Sequence, residues 1–197
     1  MVIFVVAFFL AFFPSSFSQT MGSTLTCFAM GLIAFNLWRL EEQTGISLKA
    51  MQCYAVAFGA RLVSILPFEG YLPYDRSGDW FFRMTETSSF LLALLILLLM
   101  VAVYTRSYTK GCDVFGNSVL GASGTSYGAL LAIVPTLLLA LPFHANLNGF
   151  FLSDTAWAWS NYLESAAIVP QWLLLRTWGK KVEELNSAAV FALVAGR

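Results

Sequence analysis

The sequence predicts an all-α membrane protein, and three observations predict it. First, the chain of 197 residues is 58% apolar and 16% aromatic but only 11% charged, with a mean hydropathy of +0.73; soluble domains carry roughly 25% charged residues. Second, its apolar runs recur at regular intervals, too long for strands and without strict alternation, which argues for helices. Open strands are excluded from a bilayer because their edge groups stay unpaired there. Third, Lys and Arg are divided unevenly among the loops. Eleven basic and eleven acidic side chains cancel, so there is no basic excess to neutralise phosphates, which argues against a nucleic-acid partner.

The elements follow in order. Residues 1–13 are phenylalanine-rich and uncharged, and Pro14-Ser15-Ser16 breaks the run. Residues 1–20 read as an apolar N-terminal extension or signal-like segment: the run is short for a span, lacks the positive start of a signal peptide, and Met21 is a plausible alternative start. Residues 21–197 then form the transmembrane domain. A helix is expected over 24–38, ending in the polar patch 39–44. A second covers 50–66 with Arg61 inside it. A polar segment, 67–79, carries Glu69, Asp75 and Asp79. A long apolar run occupies 80–104, another 120–143 with Pro135 inside it, and a further span covers 156–175, broken by Pro170. The last run, 187–197, begins a span and stops after a few turns. The loops with Arg39, Lys49, Arg106, Lys110, Arg176, Lys180 and Lys181 alternate with loops holding only Arg76, plus Arg83 at a helix edge. The positive-inside rule makes the first set cytoplasmic, so the helix at residue 24 starts on the lumenal or external side.

Four ionisable residues fall within or at the edges of helices: Arg61, Glu86, Asp154 and Glu164. A charge at mid-bilayer costs about 2.5–3.5 kcal/mol on insertion scales, so such residues usually face a polar cavity. Glu86 lies one turn after Arg83, and a local ion pair near the helix start explains it. Asp154, Trp157, Asn161 and Glu164 are spaced three, four and three, which puts them on one helix face. The ordinary alternative is that Asp154 caps the helix and Glu164 pairs with Arg61. Arg61 is suited to clamp a carboxylate or phosphate in bidentate fashion; an internal carboxylate partner is the competing explanation. His144 is a candidate pH sensor, or an ordinary surface histidine. Cys27, Cys53 and Cys112 form no CxxC pair, and neither HExxH nor a P-loop occurs, so no metal or other cofactor is indicated. The GxSxG match at Gly124-Thr125-Ser126-Tyr127-Gly128 lacks the preceding strand that motif needs. Gly121-Ala122-Ser123-Gly124 resembles the serine motif of rhomboid proteases, but His144 ends the same apolar segment, so no serine–histidine pair is assembled.

Two segments carry a family resemblance. Gly45-Ile46-Ser47-Leu48-Lys49 followed by Arg61, and Tyr162-Leu163-Glu164-Ser165-Ala166-Ala167-Ile168-Val169-Pro170-Gln171, resemble the signatures of the ER lumen protein-retaining receptor (KDEL receptor) family. The resemblance runs from about Trp38 to the end. It implies a seven-helix PQ-loop/SWEET-like bundle, here covering about five full helices, a partial sixth and the extra N-terminal apolar segment. It implies a receptor, not an enzyme, that binds the C-terminal KDEL-type tetrapeptide of ER luminal proteins and returns them from Golgi to ER with the COPI machinery, as a multi-pass protein of ER and Golgi membranes. By position Arg61 matches the arginine that meets the peptide's carboxylate. Asp154 stands where the family has a peptide-recognition glutamate. Trp157, Glu164 and Arg197 match family residues, and Leu62 stands at a family tyrosine. Ser64 replaces an aspartate, and the arginine and pH-sensing histidine expected in the first helix fall near Gln19 and Thr26. The chain stops before the rest of helix six, helix seven and the cytoplasmic tail, so a C-terminally truncated, divergent member is expected. A PQ-loop-type small-solute transporter and a non-functional fragment are the alternatives.

Overall fold

The computed structural model describes residues 15–40, 45–68, 79–103, 113–121, 127–178 and 184–195, and among them every regular element is helical. Helix α1 spans Ser15–Leu40. It begins directly after Pro14 and runs unbroken through Met21, so it starts well before residue 24 and crosses the boundary between residues 20 and 21. Helix α2 spans Leu48–Ile65. Ser47 precedes it in extended conformation (φ −81°, ψ 122°), and its Oγ accepts the Ala50 N–H at 3.2 Å, which satisfies one of the unpaired donors of the first turn. Helix α3, Asp79–Leu98, continues into a π-helical turn, Leu99–Val103. Its first turn is closed by an Asp79–Arg83 ion pair at 2.9 Å.

The apolar run 120–143 is divided rather than continuous. It yields a single turn, α4 (Asn117–Leu120), and a short helix, α5 (Leu130–Ala140). The corner depends on Gly116: its φ is +82°, and a Cβ there would lie 2.8 Å from Gly128 Cα. Helix α6, Phe151–Trp178, starts earlier than expected and is not broken at Pro170. Its 28 residues reach about 42 Å at 1.5 Å per residue, enough to cross a hydrocarbon core of about 30 Å. Helix α7 spans Glu184–Ala195.

Helix α2 lies between α6 and α3; α1 packs against α3 and α7, and α5 lies on α6. Three contacts fix α2 and α6 as antiparallel: Ser64 meets Ser153, Arg61 meets Ser160 to Glu164, and Ser47 meets Gln171. The core between them is apolar, built from Met51, Tyr54 and Phe58 of α2, Met30, Ile33 and Leu37 of α1, and Leu163 of α6.

The distribution of side chains on α3 is inverted relative to a soluble helix. Thr85, Glu86 and Ser89 are buried, whereas Leu91, Leu94, Leu95 and Leu98 are exposed. On α1, Ser23, Thr26 and Asn36 are buried while Phe28, Phe35 and Trp38 are exposed. A soluble surface does not carry such contiguous apolar bands; a lipid-facing surface does. Two helical stretches, Ser18–Arg39 and Asp79–Val103, are long and apolar enough to cross a membrane.

Two substitutions test the corner at α4. Gly116→Ala combines the left-handed backbone penalty, about 1–2 kcal/mol, with a backbone clash, so it lowers the unfolding temperature in detergent. Gly121→Ala, at φ +56° and ψ −133° with open space around its Cβ position, lowers it through backbone strain alone, without a clash.

Candidate functional site

Arg61 is fully buried near the C-terminal end of α2, and three helices converge on its guanidinium. Nε donates to Ser160 Oγ at 3.2 Å, and Nη1 donates to Glu86 Oε1 at 3.2 Å. Nη2 donates to Asn161 Oδ1 at 2.8 Å and to Glu164 Oε2 at 2.5 Å. The Trp157 ring completes the cluster, its centroid 5.4 Å from Arg61 Cζ, within cation–π range. Four hydrogen bonds thus engage four of the five N–H donors of the fork. With all three groups ionised the buried cluster holds two negative charges against one positive. Burial makes each charge costly, and only close pairing with further hydrogen bonds offsets that cost.

The helical stripe predicted on α6 is present, and most of it faces Arg61. Trp157, Asn161 and Glu164 touch the guanidinium, and Ser160, between two of them, joins in. Asp154 points elsewhere. It lies in the first turn of α6, and its carboxylate accepts the Leu147 N–H at 3.1 Å and the Asn148 N–H at 3.3 Å, tying down the loop that enters the helix. Leu62 packs in a small apolar cluster with Ile65 and Phe82, against Trp157. Ser64 donates to the Ser153 carbonyl at 2.8 Å and so joins α2 to α6. Arg197 lies outside the described residues, as do Ser123 and Ser126. His144 is partly exposed, with Nδ1 2.9 Å from the Leu141 carbonyl and its ring edge-on to Phe151.

Glu86 corrects the expectation of a local pair with Arg83. Arg83 pairs one turn back with Asp79, and Glu86 is carried by the inward face of α3 to Arg61. The signal was present in the sequence: Glu86 stands in the same buried register as Phe82, Ser89 and Ala93, at helical spacings of four, three and four.

A second polar cluster was not legible as such. Lys49, counted as a loop cation, is 1% exposed. Its Nζ donates to the Asp113 and Phe115 carbonyls at 2.6 Å each and lies 3.9 Å from Asp113 Oδ1. Asp113 Oδ2 accepts from Ser47 Oγ at 2.9 Å. Gln171 binds both flanks of the turn: its Oε1 accepts the Ser47 N–H at 2.9 Å and its Nε2 donates to the Gly45 carbonyl at 2.7 Å. The Gly45–Lys49 and Pro170-Gln171 segments, far apart in sequence, are therefore one structural unit.

The sequence model described as ER lumen protein retaining receptor matches residues 42–197. The chain belongs to this family. It is similar to the ER lumen protein-retaining receptor erd-2.2 of Caenorhabditis elegans, 27% identical over 84% of this chain and 66% of the relative. Similarity to the ER lumen protein-retaining receptor of Petunia hybrida is 26% identity over 84% of this chain and 67% of the relative. A third match, to the ER lumen protein-retaining receptor of Entamoeba histolytica, is 43% identical over 31% of this chain and 27% of the relative. The chain spans about two thirds of the length of the first two relatives. The family is one of receptors, not enzymes, and its name together with the apolar helices places the protein among membrane proteins of the secretory pathway.

Within this retention-receptor chain, the two clusters sit at different heights on α2. Twelve residues separate Lys49 from Arg61, about 18 Å along a helix axis. Lys49→Met removes the buried cation that lies 3.9 Å from Asp113 Oδ1, and loss of one member of a buried pair costs about 3–5 kcal/mol. Gln171→Leu breaks two hydrogen bonds of the same unit and is expected to cost less, about 1–3 kcal/mol. Thermal unfolding of both variants in detergent checks the order.

Proposed function

We propose that this protein captures the C-terminal KDEL-type tetrapeptide of ER luminal proteins in a lumen-facing cavity and returns its cargo from Golgi to ER with the COPI machinery. In this reading it is a multi-pass protein of ER and Golgi membranes, residues 21–197 form the receptor domain after an N-terminal extension, and the bundle is of the seven-helix PQ-loop type. Arg61 carries the reading. It is a permanently charged fork, buried at 0% exposure between three helices, and its present partners are side chains that a peptide carboxylate can replace, since Arg and carboxylate match in bidentate geometry.

The other recognition positions are Leu62, Asp154, Trp157, Glu164 and Arg197. Leu62 and Trp157 offer apolar surface beside the guanidinium, suited to the terminal leucine of the peptide. Asp154, whose carboxylate now binds the loop N–H groups, is the acid that meets a basic group on the ligand. The positive-inside rule puts the Ser47–Gln171 end of α2 and α6 on the cytoplasmic side and the Ser64–Ser153 end on the lumenal side. Arg61, one turn from Ser64, then lies toward the lumen. A neutral Glu164 would no longer compete as an anion, and Arg61 would then be available to the ligand.

The test compares a peptide ending in Lys-Asp-Glu-Leu with a free carboxylate against the same peptide amidated, using protein in detergent. The free acid is expected to bind more tightly, and more so at pH 6 than at pH 7.5. Arg61→Ala removes the discrimination, at a cost of about 2–5 kcal/mol in binding free energy. Equal affinity of the two peptides for the unaltered protein would sink the clamp.

A further inference from the structure

The carboxylates beside Arg61 come from two different helices, and the one from α3 has no place in the α6 stripe or in the recognition set above. Glu86 is fully buried and holds Nη1 at 3.2 Å. The rest of the fork is divided among α6 groups: Ser160 takes Nε, and Asn161 and Glu164 share Nη2. A carboxylate docking in bidentate fashion needs two parallel N–H groups from neighbouring nitrogens of the fork. The edge formed by Nη1 and Nη2 is therefore occupied on both nitrogens, by Glu86 at Nη1 and by Asn161 and Glu164 at Nη2, and a carboxylate docking there competes with Glu86 as well as with the α6 groups. Among the described residues, α1 brings no charged side chain to this second acid. That helix packs along α3, through a Ser23–Thr85 hydroxyl contact at 2.7 Å among others, yet it carries no Asp, Glu, Lys, Arg or His between Ser15 and Trp38, where the Cys27 thiol is its one titratable side chain. On α3 itself, Arg83 is engaged with Asp79. On α6, Glu164 is the other acid at the guanidinium and Asp154 is bound to the loop at residues 147 and 148. Among the described residues, the cluster thus holds Arg61, Glu86 and Glu164 as its charged groups.

We propose that Glu86 is an internal competitor for the ligand: its carboxylate occupies the Nη1 position of Arg61 that the peptide's terminal carboxylate takes on binding. This inference rests on the reading of Arg61 as the clamp. Glu86 is a positioning residue that acts through Arg61, and it sets how much of the arginine's binding capacity reaches the peptide. With Glu86 ionised, binding exchanges one carboxylate for another; with Glu86 protonated or replaced by an amide, binding adds an ionic partner where a neutral one stood. Two acids, one from each flanking helix, then share the pH response, and removing either one leaves part of it.

The experiment measures the dissociation constant of the free-acid peptide ending in Lys-Asp-Glu-Leu, with the amidated peptide as control, on the full chain and its Glu86→Gln form at pH 7.5 and pH 6. Glutamine keeps the length and still accepts a hydrogen bond from Nη1, but it carries no charge. The expected result is about tenfold tighter binding of the free acid by Glu86→Gln at pH 7.5, the scale of one charge-assisted hydrogen bond, with a smaller gain on going to pH 6 than the unaltered chain shows. Equal affinities and equal pH profiles in the two proteins overturn the competition while leaving the clamp standing. Should the unaltered chain fail to distinguish free acid from amide, the clamp itself falls and the competition with it. Glu86→Asp supplies a second measurement if the glutamine form does not fold. It keeps the charge but withdraws it by one methylene, and it is expected to bind the free acid more tightly than the unaltered chain at pH 7.5; unchanged affinity overturns the proposal.

Discussion

A guanidinium buried among three helices is the constraint on which the rest of this molecule depends. A buried cation without partners is prohibitively costly, so the residues that face Arg61 are not free to be apolar. Helix α6 answers with Ser160, Asn161 and Glu164 within little more than one turn, and α3 answers with Glu86. Each of these needs its own environment in turn. Ser160 donates to the Trp157 carbonyl, and the Trp157 ring lies against both the cation and Phe82. The polar side of α3 is thereby turned inward and its leucines outward, the arrangement that a lipid surface tolerates and water does not. Orientation of α3, and through it the packing of α1, follows from where one arginine had to find its partners.

The second polar unit, at the other end of α2, does a different kind of work. Lys49 binds mainly backbone carbonyls of the segment at residues 113 and 115, and Gln171 binds the backbone of Gly45 and Ser47. These are groups that have no choice but to hydrogen-bond when buried. Segments between helices are where such groups are left over, and Lys49 satisfies those at residues 113 and 115 while Gln171 satisfies those at Gly45 and Ser47. Between the two polar units lies an apolar layer containing Met51, Tyr54, Phe58 and Leu163. Polar contacts at both heights fix the register of α2 against α6, because a shift by one residue along either helix would break both sets at once.

How much of this was legible in sequence depended on whether the information was local. Helical periodicity and hydropathy are local, so the helical class was readable, and so was the face shared by Trp157, Asn161 and Glu164. The pair between Glu164 and Arg61 was readable as an alternative, because two rare charges in apolar helices constrain each other. Glu86 was misassigned because Arg83, one turn away, offered a nearer partner; only the packing of α3 decides which charge goes inward. Lys49 was counted as a loop cation because a lysine just after a turn is usually solvated, and the carbonyls that receive it come from a segment more than sixty residues on. The division of the run at 120–143 was hidden because its sequence is uniformly apolar, and Gly116 marks the corner only through its φ and its approach to Gly128. Pro170 reads as a breaker in water but remains inside α6, since neighbouring groups in a bundle can accommodate the lost hydrogen bond.

A site built on such an arginine is governed by exchange rather than by addition. The internal partners that make the buried cation tolerable are the groups an external carboxylate has to displace, so the affinity for a ligand is the difference between two sets of contacts to the same fork. Strong internal pairing secures the fold and weakens capture; weak internal pairing has the opposite effect, and the compromise is set by how many acids surround the arginine and whether they are charged. In this chain two acids face one arginine, and α1 contributes no charge along the stretch that packs on α3. A carboxylate ligand therefore meets a cluster already carrying excess negative charge when both acids are ionised, and neutralising either acid improves the exchange for the ligand.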